Sequence, residues 1–179
     1  METLQAMDLN VLRKLPLIND FSDGELIDLF ATATEQRFAS GSFLCKEGDQ
    51  DGHLYFLVTG EVEVSKKDAT GNAHVLATLG DGALLGELSW IMGTPCTANL
   101  KVSKETFIIR LNGEALAKQL QERSPGAFKL SVALLRLLAS RLLRMNDQFL
   151  ESQARPIDIG NKKSEIERLR ERILHDWSF

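Results

Sequence analysis

Short apolar runs separated by glycine-bearing turns fill residues 34–112, and this alternation restricts the fold more than any other feature of the chain. The runs are Phe43–Lys46, His53–Val58, Glu61–Lys66, Val75–Leu79 and Thr106–Leu111, punctuated by Gly41, Gly48, Gly52, Gly60, Gly71, Gly80, Gly82 and Gly113. Such short runs bounded by glycine read as strands. Leu54–Val64 reads as two strands joined tightly around Thr59-Gly60. In the second of them Val62 and Val64 share one face, with Glu61 and Glu63 on the other, because side chains alternate along a strand. Ala69-Thr-Gly-Asn72 has the composition of a hairpin tip. Short strands at regular spacing predict a barrel or jelly roll.

Helical signals flank this region. Leu4, Met7, Val11 and Leu15 give residues 2–15 an amphipathic period, which Pro16 ends or bends. Ser22 and Glu25 form a capping box ahead of Leu26, Ile27, Leu29 and Phe30. Residues 113–121 fit a short helix, and a long one follows Pro125, over about 126–153. On that long helix Phe128, Leu135, Leu138, Leu142, Met145 and Phe149 recur with heptad spacing, the seam of a two-stranded coiled coil. Leu130, Val132, Leu134 and Leu137 widen the apolar surface, so part of the helix is expected to pack on its own barrel. Residues 154–163, with Pro156 and Gly160, read as a linker. Ser164–Glu167 is a second capping box, and Ile166, Leu169, Ile173, Leu174 and Trp177 make a stripe on a tail helix over 164–177. A helix that short is marginal alone and needs a docking surface. The expected organisation is 1–33 N-terminal helices, 34–112 β-roll, 113–153 C-terminal helices and 154–179 linker and tail.

Bulk properties narrow the function classes. The chain has 179 residues, 44% hydrophobic and 26% charged, with a net charge of −4. It can bury a core without disulfides or metal, and its net charge argues against a whole-surface attraction to nucleic acid or anionic lipid, a local basic patch being left open. Cys45 and Cys96 are the only cysteines and form no C-x-x-C, so neither a disulfide framework nor a zinc site of usual spacing is expected. His53, His74 and His175 lack ligand spacing. The start of the chain has no signal-peptide pattern. The most apolar run, Leu130–Met145, is interrupted by Arg136, Arg141 and Arg144, which argues against a membrane span. A cytoplasmic protein is expected. No paired nucleophile and base emerges, and no phosphate loop with its lysine.

The densest motif lies at 85–100, Leu-Gly-Glu-Leu-Ser-Trp-Ile-Met-Gly-Thr-Pro-Cys-Thr-Ala-Asn-Leu. It resembles the phosphate-binding cassette of the cyclic nucleotide-binding domain family, G-E-L-[SA]-[LIF]-x-x-x-x-P-R-[SAT]-A-x-[LV]. Gly86, Glu87, Leu88, Ser89, Pro95, Thr97, Ala98 and Leu100 fit it. Gly41, Lys46-Glu-Gly-Asp49 with Asp51, Leu54-Tyr-Phe-Leu-Val-Thr-Gly60 and Leu79-Gly-Asp-Gly82 extend the resemblance over roughly residues 10–150. It implies a mainly β protein: an eight-stranded β-roll between N-terminal helices and a long C-terminal hinge and dimerisation helix.

The resemblance also implies a ligand site. Cassette amides at a helix start face the cyclic phosphate, Gly86 allows close backbone approach, and Glu87 accepts the ribose 2′-hydroxyl. Leu76, Ala77 and Leu79 match positions flanking base and sugar. The arginine that would grip the phosphate with two parallel N–H bonds is replaced by Cys96, a small, largely neutral thiol. Thr97 keeps a hydroxyl. Arg141 falls near a position where catabolite activators aim an arginine at the ligand, and Met145 and Asn146 match their adenine-reading pair.

The sequence thus predicts a non-enzymatic signalling sensor or adaptor, of bacterial type. It would be a homodimer acting through a protein partner, with cyclic nucleotide binding lost or altered through a degenerate cassette. The alternative is a working receptor for cAMP, cGMP or a cyclic dinucleotide with a non-standard phosphate site. A DNA-binding regulator is a remote third reading, because residues 154–179 offer one helix where a recognition module needs two or three.

Overall fold

The computed structural model of the protein describes residues 8–154. The beginning of the helix expected from residue 2, and the tail stripe with its capping box at 164–177, lie outside the described residues. Six strands form one antiparallel sheet: β1 Thr34–Phe38, β2 Phe43–Cys45, β3 His53–Lys67, β4 Ala73–Leu79, β5 Leu84–Leu85 and β6 Asn99–Asn112. The order is β1-β6-β3-β4, with β2 also on β6 and β5 also on β3.

Two of these strands are long and bent, and each does the work of two. The turn expected at Thr59-Gly60 is a bulge inside β3. Pairing with β6 slips between Leu57 and Thr59, between Thr59 and Glu61, and between Glu61 and Val62, while the strand runs on to Lys67. Gly60 makes this possible: its φ is +115°, and a Cβ there would collide with Thr106 and the Glu105 carbonyl. The Thr106 hydroxyl accepts from the Glu61 amide at 3.2 Å and holds the strands together across the irregularity. Strand β6 begins at Asn99, seven residues before the start read from its apolar run. Only Leu100 and Val102 of that first half are buried, and Lys101, Ser103 and Lys104 beside them hide the strand in the sequence. Its first half pairs with β2 and its second with β1. Dividing β3 and β6 at these changes recovers the eight segments of the expected roll.

The two faces of the sheet serve different cores. Cys45, Tyr55, Leu57, Val62, Leu85, Cys96, Leu100, Val102 and Ile108 fill the inside of the roll. On the opposite face Leu54, Phe56, Ile109 and Leu111 are also buried, and Phe56 meets Phe30 edge to face at 5.1 Å between ring centres.

The flanking helices follow their sequence signals. Helix α1 (Leu9–Leu12) is capped by Asp8, and Pro16 opens a single 3-10 turn to Ile18. Helix α2 (Asp23–Leu29) begins with the expected capping box: Ser22 Oγ accepts from the Glu25 amide, and Glu25 accepts from the Ser22 amide at 2.8 Å. Helix α3 is Glu87–Met92, α4 is Gly113–Gln121 with Asn112 as its cap, and α5 is Pro125–Ala154. The Glu25 carboxylate also accepts from Lys129 Nζ at 2.8 Å, fastening α2 to the first turns of α5. Ala127, Leu130 and Leu134 of α5 are buried.

A compact unit ends at Arg136, and a second begins at Leu137. In the first, Phe128 and Leu135 of the heptad set are exposed. In the second, Leu142, Met145 and Phe149 are exposed and Leu138 is half-buried. No described helix is long and apolar enough to cross a membrane.

Two expectations follow. Leu57 is fully buried inside the roll, so Leu57→Ala should destabilise by about 2–5 kcal/mol, read as a lower urea midpoint. Glu25 is held at a pKa of about 2, down from 4.5, by the Lys129 and Ser22 bonds. A depressed folded-state pKa contributes stability that is present above 4.5 and lost as pH falls towards 2. Lys129→Met should therefore lower the urea midpoint at neutral pH and flatten its decline over that acid window.

Candidate functional site

The cassette starts where β5 turns into α3. Gly86 sits in the left-handed region at φ +84° and caps α3 with no side-chain bond. A Cβ at this position would strike the His53 carbonyl and touch Tyr55, so both conformation and space require glycine. This fixes Glu87 as the first helical residue, with its side chain only 3% exposed. Ser89, two residues on, is also buried, whereas Leu88 and Ile91 project outward. Trp90 donates from its indole nitrogen to the Gly113 carbonyl at 2.9 Å. That indole joins the cassette helix to the start of α4.

The loop after α3 closes back on the helix and on a neighbouring turn. The Thr94 amide donates to the Ser89 carbonyl at 3.0 Å, and the Thr97 amide to Ser89 Oγ at 3.3 Å. Cys96 is clamped through its backbone: its amide donates to the Asp49 carbonyl at 2.9 Å, and its carbonyl accepts from the Gly48 amide at 2.8 Å. Asn99 accepts from the Glu47 amide at 3.0 Å through its side chain. The Lys46–Asp49 turn is therefore held by the cassette at three points. Asp49 supports that turn by accepting from the Lys46 amide.

Cys96 turns its thiol inward. It is 6% exposed and lies in the apolar cluster with Cys45, Tyr55, Leu57 and Leu85. Burial pushes the Cys96 thiol above its usual range; the Cys45 thiol partly offsets this, and the nearby charges of Asp51 and Asp49 add to it. Cys45 is pushed up as well, by burial first and then by Cys96 and the same two aspartates. Asp49 and Asp51 thus lie close enough to the position of the family arginine to disfavour negative charge on the thiol there.

Beside this corner lies a polar cluster that the sequence reading missed. Tyr55 donates its hydroxyl to Asp51 at 2.5 Å, and Arg110 Nη2 donates to the other Asp51 oxygen at 3.2 Å. Arg110 Nη2 also stands 3.1 Å from His53 Nδ1. Tyr55 and Arg110 are direct cross-strand partners, so both face the inside of the roll. Burial, then Asp51, holds the Tyr55 hydroxyl well above its ordinary pKa. The positive charge of Arg110 is thereby committed to Asp51, while its Nε is buried without a partner. The signal was faint: a charged residue at an inward position of an otherwise apolar strand, Phe107–Leu111.

Other positions implied by the resemblance are dispersed. Leu76 and Ala77 are exposed on β4, and Leu76 is the extra residue where the β3–β4 register shifts. Leu79 and Val64 pack against the inner cluster. Gly86, Glu87, Leu88, Ser89, Cys96, Thr97 and Ala98 come together as one cassette, with Thr97 and Ala98 half-buried. Arg141, half-buried, and Asn146, exposed, belong to the second unit. Among the described residues no group of three His, Cys, Asp or Glu could hold a metal ion.

Comparison with known proteins agrees with this architecture. The model of the cyclic nucleotide-binding domain matches residues 35–123. A crystal structure of a cyclic nucleotide-binding domain from Methylobacillus flagellatus is 28% identical and superposes with a TM-score of 0.74, over 83% of this chain and 87% of that one. The N-terminal domain of a transcriptional regulator from Streptomyces coelicolor is 32% identical, covering 78% of this chain and 94% of that one, with a TM-score of 0.57. The CRP-like cAMP-activated global transcriptional regulator of Mycobacterium tuberculosis is 27% identical over 114 residues, 64% of this chain and 49% of that protein. The chain thus spans about half the length of this regulator. With a cassette glycine that only glycine can occupy, a buried Glu87 behind it and the roll that carries both, this chain belongs to the cyclic nucleotide-binding domain family.

Proposed function

We propose that this protein is a non-enzymatic sensor or adaptor in which the cyclic nucleotide site has lost its phosphate clamp, and that it acts through a protein partner. The observation that carries this reading is the environment of Cys96. An anion brought to this corner would find a buried neutral thiol where the family pattern places a guanidinium, with Asp49 and Asp51 close enough to raise that thiol's pKa. Arg110 does not make up the difference, because it is paired with Asp51. Loss of a charge-assisted bond to a partly buried phosphate costs about 2–5 kcal/mol. At about 1.4 kcal/mol per decade, that is a loss of about 30-fold to several-thousand-fold in affinity. The tuberculosis and Streptomyces relatives are named transcriptional regulators, which supports a regulatory role over a catalytic one. A cytoplasmic, bacterial-type protein remains part of the reading.

The alternative is a receptor for cAMP, cGMP or a cyclic dinucleotide that uses a non-standard phosphate site. It is favoured by the sugar side of the cassette, where Gly86 keeps its left-handed turn and Glu87 stays buried. Arg141, Asn146 and Thr97 would then supply the missing contacts. In either reading, the heptad set Phe128, Leu135, Leu138, Leu142, Met145 and Phe149 on α5 serves as a homodimer interface. Support comes from the solvent exposure of Leu135 and Leu142, at 66% and 58%.

Two experiments test these readings. In calorimetric titration with cAMP, cGMP and cyclic di-GMP, the natural chain should give no binding heat, and Cys96→Arg should gain about 30-fold or more in affinity. Circular dichroism of that variant checks that the buried position tolerates the change. Low-micromolar binding by the natural chain that disappears in Glu87→Ala would establish the receptor instead. For assembly, light scattering coupled to size exclusion should give twice the chain mass, falling to one chain mass in Leu135→Glu/Leu142→Glu. A natural chain that runs as a monomer refutes the dimer.

A further inference from the structure

We infer that Cys45 and Cys96 form a reversible intramolecular disulfide that staples the end of the cassette to strand β2, making this corner of the roll a thiol-modification site. The chain has two cysteines in 179 residues, separated by fifty others, and the fold delivers both to one place. They come from different elements: Cys45 ends β2 opposite Leu100 of β6, and Cys96 lies in the loop after α3. Both are free, both are buried, at 7% and 6% exposure, and both belong to the same inner cluster.

Backbone bonds hold the pair in this relation. The Lys46–Asp49 turn, which follows Cys45 directly, is clamped to Cys96 through the Gly48 amide and the Asp49 carbonyl. The Cys45 thiol also lies 3.9 Å from the carbonyl of Ala98, two residues beyond Cys96. The thiols are themselves coupled: the Cys45 thiol shifts the pKa of Cys96 down, whereas Cys96 shifts that of Cys45 up. Cys45 directs its S–H to the Ala98 carbonyl, which leaves Cys96 as the attacking thiol.

The chemistry requires an oxidant, and a small-molecule disulfide such as oxidised glutathione supplies it. The Cys96 thiolate attacks one sulfur of that disulfide, breaks its S–S bond and releases one small thiol. Cys45, on losing its proton, then attacks the Cys96 sulfur and expels the second small thiol. The protein loses two protons and two electrons, and the small disulfide takes up both. Burial and the two aspartates keep both thiolates scarce, so the exchange is slow at neutral pH and accelerates as pH rises. The inference stands whether or not the pocket accepts a nucleotide, because it concerns only the two thiols and the backbone that positions them.

The test is to incubate the natively folded full chain with oxidised glutathione, quench with acid, alkylate in denaturant and weigh the peptides. The expected product is a Cys45–Cys96 linked species lighter by two hydrogens, formed faster at higher pH and returned to two alkylatable thiols by dithiothreitol. Cys45→Ala and Cys45→Ser chains should instead accumulate one glutathione on Cys96. In the linked form, amides of residues 94–99 should exchange hydrogen more slowly than in the reduced form. Two independent glutathione adducts per chain, or links between chains only, would overturn the inference. So would persistence of both free thiols under conditions that oxidise the unfolded chain.

Discussion

The pairing of β3 with β6 is the constraint on which the rest of the molecule depends. It runs from His53↔Asn112 to Ser65↔Asn99 and passes through a bulge without breaking. Because a strand's side chains alternate, this one ladder sends Tyr55, Leu57, Ile108 and Arg110 into the roll, and Leu54, Phe56, Ile109 and Leu111 to the opposite face. Each remaining strand attaches to one member of the pair. The bulge depends in turn on Gly60, whose place against Thr106 admits no side chain. A register slip anywhere along this ladder would exchange the two cores at once.

The cassette is a dependent of that ladder. Its entry at Gly86 is set by contact with the His53 carbonyl at the start of β3, and its far end is clamped to the turn that leads into that strand. Trp90 fixes the helix between them to Gly113, where β6 gives way to α4. The loop is therefore braced at both ends and in the middle, independently of any charge that a ligand would bring. This explains how a chain can replace the cassette arginine by cysteine and still keep the cassette's shape: the arginine position contributes backbone bonds to the fold, and the side chain there is left to other chemistry.

Much of this was legible in the sequence, and unevenly so. The Ser22–Glu25 capping box, the 113–121 helix and the hairpin tip near Gly71 are local features, decided by residues within one turn of each other. The β-roll was also legible, through glycine spacing and the family resemblance. The first half of β6 was not, because its outward residues are charged or polar and only pairing with β2 and β3 makes it a strand. The reading of Thr59-Gly60 as a turn failed for a related reason. A glycine with positive φ serves a tight turn and a bulge equally well, and what decided between them was Thr106, nearly fifty residues away. Asp51 was noted, but its pairing with Arg110 was passed over, because a pair so distant in sequence leaves no local pattern.

The sequence by itself determined the fold class, the position of the cassette and the identity of the residue that departs from its pattern. These depend on residue type and short spacing, which sequence carries directly. Only the tertiary structure decided the surroundings of that residue. It placed a second cysteine beside Cys96, put two aspartates within its electrostatic reach, and bound the Arg110 guanidinium to Asp51 across the strand pair. Burial, pairing and charge depend on which distant segments meet, and that is fixed by the ladder of β3 on β6.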